Sequence, residues 1–236
     1  MDLLFLPIAF ISEVIGTIAG FGSSTIALPL SLFIFDFHTA LVLVAFLHIF
    51  GNISRIGFFR HGLDKRLLLQ FGLPSIVLTL IGALLVQRVS QDLLQMILGL
   101  FLIMYTFWSW SGKFRIQPSI TTSAIGGGLS GFFAGLIGTG GALRSAFLTA
   151  FGLSKEKYIA TAAAIALAVD ITRLPIYLKD GFLQPQFYWM LPVLLVIALG
   201  GSFVGKQITN KISQPVFRRI VLIAIFIIGI KFFLTG

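Results

Sequence analysis

Residues 3–35 and residues 120–151 are almost wholly apolar, and neither run fits a membrane as one straight helix. At about 1.5 Å per residue each would be roughly 45–50 Å long, well beyond a hydrocarbon core of about 30 Å. Something must bend or break them. The first run carries Gly20, Gly22 and Pro29; the second carries Gly138-Thr139-Gly140-Gly141. Each glycine costs a continuous helix roughly 1 kcal/mol against alanine. Such clusters suit a place where backbone leaves helical geometry and exposes N–H groups. Inside a bilayer that backbone survives only when buried in protein or lining a cavity.

Composition sets the class. The chain has 236 residues, 57% hydrophobic and 11% charged, with no cysteine. That much apolar surface predicts an all-α polytopic membrane protein and leaves no room for disulfides or thiolate metal sites. Six further spans are expected over residues 39–57, 67–86, 93–110, 157–178, 187–205 and 217–235, with Phe107 to Trp110 as an interfacial aromatic anchor. The net charge of +9 sits mostly in short loops, so it reads as a topology signal and not as a nucleic-acid surface.

The two halves align at an offset of about 118 residues. Gly20 falls on Gly138, Gly22 on Gly140, Asn52 on Asp170, Ser54 on Thr172, Arg55 on Arg173 and Pro74 on Pro192. We expect two transmembrane repeats, residues 1–112 and 120–236, joined by a polar link over 113–119. Broken segments at matching places in two repeats are a mark of secondary transporters and point to the binding site.

Charge distinguishes two topologies. If each long run crosses once, eight spans result, and the sides carry nine and seven basic residues, Arg144 being set aside. If each run is a hairpin returning to its own side, one face carries twelve: Arg55, Arg60, Lys65, Arg66, Lys113, Arg115, Lys155, Lys157, Lys206, Lys211, Arg218 and Arg219. The other keeps only Arg88, Arg173, Lys179 and Lys231. Twelve against four favours the hairpins, makes the repeats inverted, brings both glycine turns toward the midplane and places the termini outside the cytoplasm.

The glycine turns are the first candidate site. Unwound N–H groups and the helix N-termini that follow attract an anion, and Ser23, Ser24, Thr25 and Thr139 add hydroxyl donors. Gly20, Gly22, Gly138, Gly140 and Gly141 form the turns; close helix packing is the competing explanation. Arg144 follows in an apolar helix half. An intramembrane arginine marks a pathway or an ion pair, here with substrate or with Glu13 or Asp170. Asp170 and Arg173 share a helix face and either neutralise one another or line the cavity. Asn52 and Arg55 repeat the pattern without the acid, and Arg55 could equally be an orientation charge. Glu13 and His48 are candidates to relay a coupling proton. Enzyme motifs are missing: there is no H-E-x-x-H, G-x-S-x-G or Walker loop. No cofactor and no metal are expected.

The run Ala134-Gly-Leu-Ile-Gly-Thr-Gly-Gly141, with Gly152-Leu-Ser-Lys155 and Thr161, resembles the TauE/SafE sulfite exporter family of anion permeases. The likeness covers nearly the whole chain. In the first half the turn reads Gly-Phe-Gly-Ser-Ser with Pro29 following, and the second half lacks that proline. The resemblance implies movement of sulfite, sulfonates, sulfoacetate or related organosulfur anions across a bacterial cytoplasmic membrane. The expected function is thus a secondary transporter of a small sulfur-containing anion working by alternating access. An anion channel and a non-transporting assembly subunit are the alternatives. The expected partners are the bilayer and the anion, and a coupling proton or a homo-oligomer is compatible with this reading.

Overall fold

The computed structural model describes residues 2–20, 22–59, 62–111, 116–209 and 214–235. Arg60, Lys113, Arg115 and Lys211, counted above as topology charges, lie outside the described residues, as do residues 113–115 of the link at 113–119. Among the described residues the structure is all helical. Helix α1 spans Phe5–Ala19 and α2 Ser24–Ser31. They are followed by α3 Phe37–Phe58, α4 Lys65–Gln70, α5 Gly72–Leu85 and α6 Gln91–Ser111. The second half holds α7 Ile120–Ile137, α8 Gly141–Leu148, α9 Lys155–Lys179, α10 Met190–Ile208 and α11 Gln214–Thr235. Seven helical segments are long and apolar enough to cross a membrane, and α1 and α7 are among them. Large apolar side chains such as Leu73, Val77, Leu100, Met104 and Val196 are exposed on the outside, while the charged groups of the helices described below are buried. That inverts the rule for water and suits lipid.

Both long runs break at the glycines. Helix α1 ends where Gly20 adopts φ 75°, and α7 ends where Gly138 adopts the same angle. Left-handed backbone is nearly free for glycine and strained for a residue with a Cβ, so the stop is written in the sequence. Pro29 does not mark a break. It lies inside α2, two residues before the helix ends, so only its own missing N–H is lost from the ladder. In the α4–α5 segment Pro74 acts more strongly: its ring opposes the carbonyl of Gln70, where α4 stops.

The chain then turns back. Phe35, beyond α2, packs edge-on against Phe5 at the start of α1, with ring centroids 5.3 Å apart. Phe151 and Leu153, beyond α8, share a cavity with Pro118 and Ser119, which precede α7. Each broken segment is therefore a hairpin with one long and one short arm. The directions of the other helices agree. Helices α3 and α9 run antiparallel, with Asn52 beside Asp170 and Gly62 against Glu156. Helices α6 and α11 do the same, with Gly99 against Gly229 and Phe107 on Phe226. Eight successive crossings would have made both pairs parallel.

Two parallel pairs complete the packing. Helix α1 lies along α10, where Glu13 meets Gly201 and Thr17 meets Gly205. Helix α5 lies along α7, where Phe71, Ser75 and Thr79 meet Gly127, Gly131 and Gly135. The approach is close enough for Ser75 Oγ to donate to Gly127 O and Thr79 Oγ1 to Gly131 O, both at 3.0 Å. Small residues allow such contact where lipid offers no hydrophobic drive. Gly131→Leu would push its Cβ into the Ser75 backbone and break this seam. We expect a loss of at least about 1–3 kcal/mol, read as a lower melting temperature in detergent. Gly57→Ala is the control: its Cβ meets open space, and the variant should be neutral or slightly more stable.

Candidate functional site

The two hairpin tips meet. Thr25, in the first turn of α2, and Thr139, in the second glycine turn, share a hydrogen bond of 3.0 Å between their hydroxyl oxygens. Both short helices thus begin in the protein interior, where the first N–H groups of a helix lack intrahelical acceptors, although Ile26 N–H of α2 already donates to Ser23 O at 3.0 Å. Each adds the positive end of a helix dipole. Ser23 and Ser24 are buried beside them, and Ser23 Oγ has no hydrogen-bond partner among the described residues. Tyr158 at the start of α9 bridges the tips. Its hydroxyl lies 2.9 Å from Gly20 O and 2.7 Å from Ser145 Oγ of α8.

Below the tips runs one buried polar network. Arg55 pairs with Glu13, donates to Asn52 Oδ1 at 2.6 Å and to Thr17 Oγ1 at 3.2 Å. Ser202 Oγ of α10 donates to the same Glu13 oxygen at 3.0 Å. Asn52 Nδ2 approaches Asp170 Oδ2 at 3.4 Å, and His48 Nδ1 lies 2.8 Å from that oxygen. Arg173 donates to Asp170 Oδ1 through Nε at 2.9 Å, with Nη2 at 2.7 Å. Its remaining nitrogen reaches Ala134 O at 2.7 Å, and Tyr177 donates to Gly135 O. Those carbonyls belong to the last turn of α7 and have no intrahelical donor, so Arg173 and Tyr177 cap that helix end. In the first half Arg55 and Thr17 brace α1 in a similar place.

Arg144 stands apart. It is 4% exposed, yet among the described residues it makes no ion pair and no hydrogen bond through its side chain. It does not pair with Glu13 or Asp170, because each carboxylate already has its own arginine. Arg144 lines a small cavity of about 20 Å³, enough for about one water molecule, with Gly16, Thr17, Gly20, Gly22, Asn52 and Arg55. Ile159, Ala162 and Ala163 form the apolar wall. With a neutral imidazole, three arginines face two carboxylates, and the surplus positive charge is that of Arg144.

The structure therefore sorts the sequence candidates. Gly20, Gly22, Asn52, Arg55 and Arg144 come together around the cavity. Ser23, Ser24, Thr25 and Thr139 lie at the joined tips. Gly138 and Gly140 serve the fold closely: a Cβ on Gly138 would meet Leu41 and Leu28, and one on Gly140 would meet the Ser130 carbonyl. Gly141 opens α8. Asp170 and Arg173 neutralise each other. Arg55 is buried in an ion pair, which removes it as an orientation charge. Thr17, Ser202, Tyr158 and Tyr177 were not anticipated. Only Tyr177 carried a signal, being four residues past Arg173 on one helix face.

Residues 5–232 match the family model described as sulfite exporter TauE/SafE. The chain belongs to the TauE/SafE family. It is also 26% identical over 256 residues to a protein of Methanocaldococcus jannaschii named "Probable membrane transporter protein", covering 94% of this chain and 93% of that one. No solved structure matches the chain. This TauE/SafE protein is accordingly a membrane transporter, and the glycine hairpins, the cavity and the arginines all lie within the matched region.

Proposed function

We propose that this transporter moves a small sulfur-containing anion of the sulfite, sulfonate or sulfoacetate type by alternating access. The observation that carries the reading is Arg144: a buried guanidinium with no counter-ion among the described residues, set in the wall of a small cavity beside the joined hairpin tips. A charge so placed inside a membrane protein is expensive unless a ligand answers it. Its planar fork suits the paired oxygens of a sulfonate, a sulfite or a carboxylate. Membership of a family described as sulfite exporters supports the sulfur oxyanion class.

The cavity holds about one water molecule, far less than a continuous anion pathway, which favours a carrier over an open pore. Antiparallel α3–α9 and α6–α11 pairs, exchanged α1–α10 and α5–α7 pairs, and joined hairpin tips support two inverted repeats, residues 1–112 and 120–236. Rocking of one repeat on the other would expose the site alternately. The charge bias favours a cytoplasmic membrane with both termini outside the cytoplasm. Removing the buried Arg55 and Arg173 from the earlier count leaves eleven basic residues against three, so the bias survives.

Counterflow in proteoliposomes tests the proposal. Vesicles preloaded with sulfite or sulfoacetate should accumulate the labelled anion saturably and faster than empty vesicles, with chloride as the control. Conductance without counterflow would instead favour a channel. No exchange of any sulfur anion would overturn the substrate assignment.

A further inference from the structure

We infer that His48 is the residue through which each bound anion takes up one proton, so that anion and proton cross in the same direction. This rests on the anion-site reading above and deepens it.

His48 lies on α3 and is 3% exposed. Asp170 Oδ2 lies 2.8 Å from Nδ1, off the line of a formed hydrogen bond; a carboxylate only accepts, so this approach favours the tautomer with the ring hydrogen on Nδ1. The second ring nitrogen, Nε2, is buried and has no hydrogen-bond partner among the described residues. It points at Gly22. A Cβ built on Gly22 would sit 2.6 Å from Nε2 and 3.6 Å from Arg144 Nη2. The free imidazole nitrogen and the unpaired guanidinium thus converge on the same glycine of the cavity wall.

The tautomer makes this a coupling device. Neutral His48 turns a lone pair toward the space beside Arg144, where an anion would be repelled. Protonated on Nε2, it turns a charged N–H donor there instead. Two cations this close repel, so an anion lying between them favours the proton, and the proton favours the anion. Linkage makes that preference mutual and equal in size.

The other charges around His48 are spoken for. Arg173 on α9 is held by Asp170, and Arg55 on α3 by Glu13 on α1. Among the described residues only Arg144 on α8 faces it unpaired. Glu13 is held through Oε1 by Arg55 and Ser202, and the atoms nearest a Gly22 Cβ are those of His48 and Arg144, not its own. With His48 neutral the cluster carries one positive charge. A proton raises it to two, and a dianion such as sulfoacetate, ionised at both its carboxylate and its sulfonate, brings it to zero. The proton comes from solvent on the side where the anion enters and leaves Nε2 on the other side with the anion.

Calorimetric titration with sulfoacetate, in buffers of different ionisation heat, counts the protons. Wild type should take up close to one proton per anion, and its affinity should fall about tenfold per unit from about pH 6 to about pH 8. His48→Gln should still bind, with little pH dependence and no uptake. Wild-type binding without proton uptake would overturn the inference, and so would undiminished uptake in His48→Gln. If His48→Gln does not fold, the wild-type proton count alone decides. If wild type fails to bind sulfoacetate at all, the anion-site reading fails first and this inference falls with it.

Discussion

Arg144→Gln will leave the protein folded and remove its thermal stabilisation by anions. Burying an unpaired guanidinium carries an effective penalty of several kcal/mol, which a neutral amide does not incur. The variant without ligand should therefore melt no lower than wild type. Wild type should be stabilised by at least one of sulfite, sulfate, thiosulfate, sulfoacetate, taurine or acetate, and not by chloride alone. Each charge-assisted hydrogen bond is worth about 1.5–3 kcal/mol, so losing a two-pronged contact should weaken binding by at least about 100-fold. Arg144→Lys keeps the charge without the fork and should fall between the two. A glutamine variant that binds within a few-fold of wild type would remove Arg144 from the site. One that unfolds would show the guanidinium to be structural.

Asp170→Ala should have the opposite profile, a large loss of stability. Asp170 accepts from Arg173 and Asn52 and holds His48, all in a dry interior. Its removal strands a buried cation, an effect of roughly 3–5 kcal/mol. We expect a fall in melting temperature and in folded yield. The double variant Asp170→Ala with Arg173→Met should recover part of the loss, because the stranded charge goes with its partner. Recovery will be incomplete, since Arg173 also caps the Ala134 carbonyl. A single-variant loss under about 1 kcal/mol would mean the pair is not the keystone its burial suggests.

The hairpins were legible in the sequence for a simple reason. A run too long for a bilayer, with glycines in its middle, must break there, and basic residues then report which side each end occupies. Asn52 and Asp170, aligned across the two halves, do meet in space. What could not be read was the pairing of charges. Glu13 was free to join Arg144 or Arg55, and nothing along the chain says that Arg55 wins. That choice follows from α1 lying along α10 and near α3, a tertiary fact with no local period. Thr17 and Ser202 were invisible for the same reason: a lone hydroxyl on an apolar helix looks like a packing residue. Pro29 misled because proline near the end of a short helix removes only one bond. Arg144 was singled out for its setting, but that it lacks a partner among the described residues is a fact of the tertiary structure alone.

The pairing of Glu13 with Arg55 sets an order of events during synthesis. The acid leaves the ribosome 42 residues ahead of its cation, and its second partner, Ser202, follows 189 residues behind it. An ionised carboxylate alone at the centre of a nascent membrane helix is costly, by roughly 2.5–3.5 kcal/mol on insertion scales. Helix α1 must therefore enter the bilayer late, neutral, or sheltered by the insertion machinery until α3 arrives. Its lateral neighbour, α10, emerges only after all the intervening helices. The first hairpin is made before the elements that seal it, so a chain cut between its halves would leave that hairpin's polar face turned to lipid.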